Sequence, residues 1–163
     1  MKIAFSGHRR KYFRNWEKEE RNLIEKLQAY LSTIEKPYIF IVGGALGVDS
    51  AIARYAIANS IPFELHVPFP VTIHSKQQAK FDKATKEDAF FLLEQHKRCI
   101  KRVTIAYEYS PDTYFFRDQS MVNACDVLLC YYFREASGTG KCVRYAKEIG
   151  KKVINLRTWK GEI

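Results

Sequence analysis

Apolar and polar residues along this chain follow two alternating periods. Short β-branched or aromatic runs at residues 3–5, 38–42, 63–67, 103–106, 127–131 and 153–156 predict strands. Between them, apolar residues recur every three or four positions. Leu23, Ile24, Leu27, Tyr30, Leu31 and Ile34 form one such stripe and predict a helix over residues 16–34. Asn15 stands at its N-cap position, and Glu17, Glu19 and Glu20 fall in the first turn, where carboxylates complement the positive end of the helix dipole. Further helices are predicted over residues 48–59, 112–124 and 140–149. The charged stretch 75–102 predicts two more, because Thr85 followed by Asp88 has the form of a capping box that restarts the chain. Alternating strands and helices predict an α/β fold: a Rossmann-like, doubly wound, mainly parallel sheet of about six strands with helices on both faces. No repeat, low-complexity tract or Gly/Ser linker interrupts the pattern, so one domain over residues 1–163 is expected.

In a doubly wound sheet of order 3-2-1-4-5-6, the first and fourth strands are neighbours and the loops after them diverge to open a crevice. That order singles out Ser6, Gly7, His8, Arg9 and Arg10 after the first strand, and residues 107–116 after the fourth, which lead into Arg117. Two more loops leave the same edge: Gly43, Gly44, Ala45, Leu46 and Gly47 after the second strand, and Ser137, Gly138, Thr139 and Gly140 after the fifth. Glycine permits close backbone approach, and the free N–H groups of a helix start favour an anion, so phosphate is the expected guest. Asp49 either charges the start of the second helix or meets the ligand. His8 is a polar ligand contact or a proton donor and acceptor. Tyr114, with Tyr107, Tyr109 and Phe115, stacks on a base or packs the rim. No GxxxxGK motif followed by Ser or Thr and no GxGxxG is present, which disfavours P-loop ATP hydrolysis and NAD chemistry.

Charge agrees with an anionic partner. The 163 residues carry a net charge of +9, clustered at residues 8–11, 97–102 and 151–152, although scattered surface lysines produce such a sum without any ligand. No apolar run approaches the roughly 20 residues of a membrane span, and no signal peptide is evident, so a cytoplasmic location without membrane contact is expected. Cys99, Cys125, Cys130 and Cys142 show no metal-binding spacing, so neither a metal nor another cofactor is implied. They are expected to be reduced packing residues, Cys142 beside a glycine loop being the one alternative as an enzymatic thiol.

Three blocks resemble a known family: Ser6-Gly7-His8-Arg9, the run IVGGALGVDSAIARYAI, and FFRDQSMVNACDVLLC followed by SGTGKCVRYAKEIGKKVINL. Together they are similar to the SLOG superfamily, nearest to its YpsA-type branch, over residues 2–156. The resemblance implies a Rossmann-like pocket for a nucleotide or its derivative. Relatives include the LOG phosphoribohydrolases, a DNA-processing protein that loads recombinase on single strands, and ligand-sensing domains of bacterial and phage conflict systems. Homodimerisation is also implied. Arg117 and Met121 match the RxxxM element of the LOG enzymes, with Arg117 expected on a phosphate or ribose or else in a surface ion pair with Asp118 or Glu135. Their PGGxGTxxE loop is matched only in Ser137, Gly138 and Thr139: Cys142 replaces the glutamate, and Glu135-Ala136 replaces the preceding Pro-Gly. Binding of a nucleotide-derived molecule, for sensing or sequestration, is therefore the leading expectation. Cleavage of a nucleoside monophosphate with Asp118 or Glu135 as carboxylate is an alternative, and single-stranded DNA binding is another.

Overall fold

The computed structural model describes residues 1–161. Six strands, β1 (Lys2–Gly7), β2 (Ile39–Val42), β3 (Phe63–Val67), β4 (Lys101–Thr104), β5 (Val127–Tyr131) and β6 (Lys152–Asn155), form one sheet. Every pairing is parallel. Six helices connect them: α1 (Trp16–Leu31), α2 (Val48–Ala58), α3 (Val71–Phe81), α4 (Lys86–Arg98), α5 (Thr113–Ala124) and α6 (Gly138–Glu148). None is long and apolar enough to cross a membrane.

Alternation along the strands sends side chains to opposite faces and so builds two cores. Ile3, Phe5, Phe40, Val42, Leu65 and Leu129 pack with Leu23 and Leu27 of α1 and Ile52 of α2. Ala4, Ile41, Leu128 and Cys130 pack on the other face with Met121 and Val122 of α5 and Val143 of α6. Leu23 and Leu27 are wholly buried, and each contributes on the order of 2 kcal/mol by leaving water. The expected local signals are present. The Asn15 side chain accepts from Lys18 N, and Thr85 and Asp88 exchange reciprocal bonds of 2.8 and 3.1 Å.

Sheet order differs from the expectation. It runs β4-β3-β2-β1-β5-β6, so β4 closes the far edge beside β3 and β5 is the neighbour of β1. The chain lays down four strands in one direction, and α5 then crosses back over the sheet, touching both β3 and β1, before β5 begins. The crevice accordingly lies between the loops after β1 and β5, and residues 107–112 do not belong to it. Four strands and then two, rather than three and three, make the halves. Boundaries move as well: β4 starts two residues before its expected position and α6 starts at Gly138, while α1 ends at Leu31 because Ser32 and Thr33 cap its last carbonyls.

Candidate functional site

Where β1 and β5 diverge, a cleft of about 280 Å³ opens at the carboxyl edge of the sheet. Ser6, Gly7, His8 and Arg9 supply one wall, and Ser137, Gly138 and Thr139 the other. Ala45, Asp49, Tyr114, Arg117 and Asp118 close the bottom and side. Eleven of the expected ligand positions thus meet in one place, whereas Gly43, Gly44 and Gly47 do not line the cleft. Tyr12, Arg134 and Ala136 line it without having been singled out by the sequence.

Two helix starts face this edge, and they differ. At α6 the Ser137 side chain caps Gly140 N–H at 3.0 Å, but the N–H groups of Gly138 and Thr139 have no acceptor among the described residues. They are the unsatisfied donors of a helix start, at the positive end of its dipole. Gly140 is required here, since a Cβ would lie 2.0 Å from the Glu135 carbonyl oxygen. At α2 the Val48 and Gly47 donors are taken up inside the protein. Val48 N–H bonds the His8 carbonyl at 3.4 Å, Gly47 N–H bonds Ser50 Oγ at 3.0 Å, and Arg10 N–H bonds the Leu46 carbonyl. The acceptors are spent too: Gly43 O takes Arg117 Nη1 and Gly44 O takes Gln78 Nε2 at 2.7 Å. The glycines of residues 43–47 therefore sit in close packing and away from the cleft lining.

Arg117 lies beneath the cleft, and its guanidinium is committed. Nε donates to Asp118 Oδ1 at 2.8 Å, whereas Asp49 of α2 makes no ion pair with Arg117 and feels it only through its charge, its carboxylate facing the backbone N–H groups of Gly43 and Ala45. Met121, one turn on, is buried below. Burial pushes the Asp49 carboxyl up to about 6 against the pull of Arg117, with Asp118 adding to the rise. Burial likewise holds Asp118 above the usual carboxylate range although Arg117 opposes it. Asp49 Oδ1 is buried and has no hydrogen-bond partner among the described residues. The alternative ion pair with Glu135 is not made: Glu135 is exposed, outside the cleft, and accepts from Tyr132 Oη at 3.0 Å.

His8 ties the two walls together. Its Nε2 accepts from the N–H groups of both Phe133 and Arg134, at 3.1 and 3.2 Å, so the ring proton resides on Nδ1. Burial, aided by Arg134 and Arg157, lowers this imidazole to about 4. It is neutral at physiological pH and bound as an acceptor, which removes it as a proton-transfer group there. Arg9 leans over the Tyr114 ring at 5.2 Å while bonding Asp82, and Arg10 and Lys11 pair with Asp88 and Asp82. The basic cluster at residues 8–11 is thus largely neutralised by α3, α4 and the turn between them. Arg134, over the Tyr12 ring at 5.8 Å, has no carboxylate partner among the described residues. Cys142 is buried beside Ser6, and burial together with Asp118 pushes its thiol far up, which excludes a reactive thiolate. No disulfide and no cluster able to hold a metal occurs among the described residues.

No protein-family model matches the chain, and no curated protein matches it. Solved structures do. TM1055, a structural genomics target, superposes with a TM-score of 0.61 at 15% identity, over 96% of this chain and 74% of that one. DNA processing protein A from Helicobacter pylori, whose structure describes a single-stranded DNA binding mode, superposes at 0.65 and 15% identity, over 99% and 69%. DNA processing protein A from Streptococcus pneumoniae gives 0.51 at 11%, over 94% of this chain and 58% of that one. The chain therefore has the Rossmann-like fold of these proteins, which is the fold that its resemblance to the SLOG superfamily implies.

Proposed function

We propose that the cleft binds a nucleotide or nucleotide derivative and holds its phosphate on the amino terminus of α6. The observation that carries this is the pair of N–H groups at Gly138 and Thr139, without acceptors among the described residues, on the rim of a cleft that also presents Arg134, which has no carboxylate partner among them. Charge divides the site. Its floor sets two carboxylates, Asp49 and Asp118, against the single guanidinium of Arg117, whereas its rim is cationic. A phosphate is favoured at the rim and repelled from the floor. The Asp118 carboxylate, partly exposed in the cleft, suits a hydroxyl or amine donor, as a sugar or base supplies. A ligand with phosphate at one end and sugar at the other satisfies both halves.

Thermal denaturation with adenosine monophosphate, ADP-ribose, cyclic dinucleotides and unphosphorylated adenosine tests this. Each tenfold excess over Kd adds about 1.4 kcal/mol to the folded state. A phosphorylated ligand is expected to raise Tm, adenosine to have no effect, and Arg134→Ala to lose the response. No shift with any phosphorylated compound overturns the proposal. Release of free base from a nucleoside monophosphate would replace binding with N-glycoside cleavage, for which Asp118 is the carboxylate in the cleft. A second reading, single-stranded DNA binding, is favoured by the likeness to the Helicobacter pylori protein and by the +9 charge. It requires an affinity that falls steeply with salt, and absence of binding at low ionic strength excludes it.

A further inference from the structure

Strand β3 carries two polar residues on the face turned toward α5, and both are buried: Glu64 and His66 are each 2% exposed. A carboxylate and an imidazole so placed need partners. Lys2 Nζ lies 2.6 Å from Glu64 Oε2, His66 Nε2 lies 3.1 Å from Glu64 Oε1, and Ser120 Oγ of α5 lies 2.8 Å from His66 Nδ1. The protonation states follow. Burial pushes the Glu64 carboxyl up, but the charge and bond of Lys2, with the bond from His66, outweigh it and hold the group below its usual range. An ionised Glu64 only accepts, so the proton of their shared bond resides on His66 Nε2. Nδ1 is then left with a lone pair that accepts the Ser120 hydroxyl. Burial lowers the His66 pKa although Glu64 pulls the other way, which keeps the ring neutral. Hydroxyl, base and orienting carboxylate stand in the order that activates a serine.

The serine is reachable. It opens on a groove of about 590 Å³ between α5 and the edge strand β4, and this groove shares no lining residue with the cleft. Phe116, half exposed, and Val103 give it an apolar wall. Asn123 lines the same groove one turn after Ser120, and its Oδ1 accepts from Tyr145 Oη at 2.7 Å, which orients the amide and leaves Nδ2 as its donor.

We propose that Ser120 is the nucleophile of a second site, an esterase site for small carboxylic esters with an apolar acyl group. Ser120 Oγ attacks the ester carbonyl carbon while its proton passes to His66 Nδ1, and Asn123 Nδ2 donates to the oxygen that becomes negative. The ester C–O bond breaks, the alcohol leaves with the proton from His66, and the acyl group remains on Ser120. Water then attacks the acyl carbon, giving its proton to His66, and the carboxylic acid departs as Ser120 recovers that proton. One ester and one water yield one acid and one alcohol.

Wild-type protein incubated with a fluorophosphonate, followed by intact mass and peptide mapping, tests the site without any variant. One adduct on Ser120 is expected, together with hydrolysis of p-nitrophenyl acetate that Ser120→Ala abolishes and His66→Gln slows at least tenfold. Circular dichroism confirms that both variants remain folded. No adduct on Ser120 in the folded wild-type protein, an adduct only elsewhere, or unchanged hydrolysis in a folded Ser120→Ala overturns the proposal and leaves the network a structural one.

Discussion

Two loops on the carboxyl edge of the sheet, residues 43–47 after β2 and residues 136–140 after β5, are both glycine-rich and both lead into a helix. Their chemistry is opposite. In the first, the carbonyls of Gly43, Gly44 and Leu46 accept from Arg117, Gln78 and Arg10, Gly47 N–H bonds Ser50, and the glycines lie outside the cleft. In the second, two N–H groups remain without partners and Gly138 faces open space. A glycine-rich helix start is thus open to an anion only where its free donors reach a cleft, and neighbouring loops decide that.

The sharpest way to break this contrast is through Arg117, which the first loop holds beneath the cleft. Arg117→Ala leaves the largely buried Asp118 without its ion-pair partner and Asp49 without a nearby positive charge, and a loss of about 3–5 kcal/mol in urea denaturation is expected. A loss under about 1 kcal/mol would mean that the guanidinium is not structural. The glycines come next. Gly47 has φ +133°, and a Cβ there would lie 2.5 Å from Arg10 N and 2.6 Å from His8 O, so Gly47→Ala is expected to cost about 3 kcal/mol. Gly138→Ala meets nothing within 4 Å and should leave stability within about 0.5 kcal/mol. Equal effects at the two positions would remove the distinction.

Asp49 sharpens the account of the floor through pH. Its folded value, about 6, lies above the ordinary 3.8, so the folded state holds its proton more tightly than the unfolded state does. Ionisation therefore destabilises the fold progressively between those values and fully above about 6. Asp49→Asn removes that penalty. Its stability relative to wild type should rise by about 2–3 kcal/mol from pH 4 to pH 8, and a difference independent of pH would contradict the buried carboxylate. The variant comparison is needed because His8, lowered to about 4, works in the opposite sense and loses its stabilising contribution as pH falls. The smallest effect concerns binding alone. Gly138→Asp places a carboxylate at the positive end of α6, which suits the helix but occupies the anion position. Phosphorylated ligands should bind at least tenfold more weakly, about 1.4 kcal/mol, with Tm unchanged or raised.

Some of the missed features left traces in the sequence. Strand β4 begins Lys101-Arg102, both exposed, and paired charges of that kind mark an edge strand, not the centre of a sheet. In β3, Glu64 and His66 alternate with Phe63, Leu65 and Val67, a pattern that puts two polar groups on one buried face. Arg134 and Tyr12 carried no such trace, because nothing in their neighbours signals a cleft.

What the sequence determined by itself was local: strands from apolar runs, helices from their stripes, the caps at Asn15 and Thr85, and the rim on which the loops after β1 and β5 stand. Those features depend on residues within one or two helical turns of each other, so they can be read in order along the chain. Tertiary structure alone decided the place of β4, the occupied carbonyls of the loop after β2, and the burial of the Arg117–Asp118 pair beside Asp49. Each depends on which distant segment supplies the partner, and burial then fixes whether a polar group is spent inside the protein or left for a ligand.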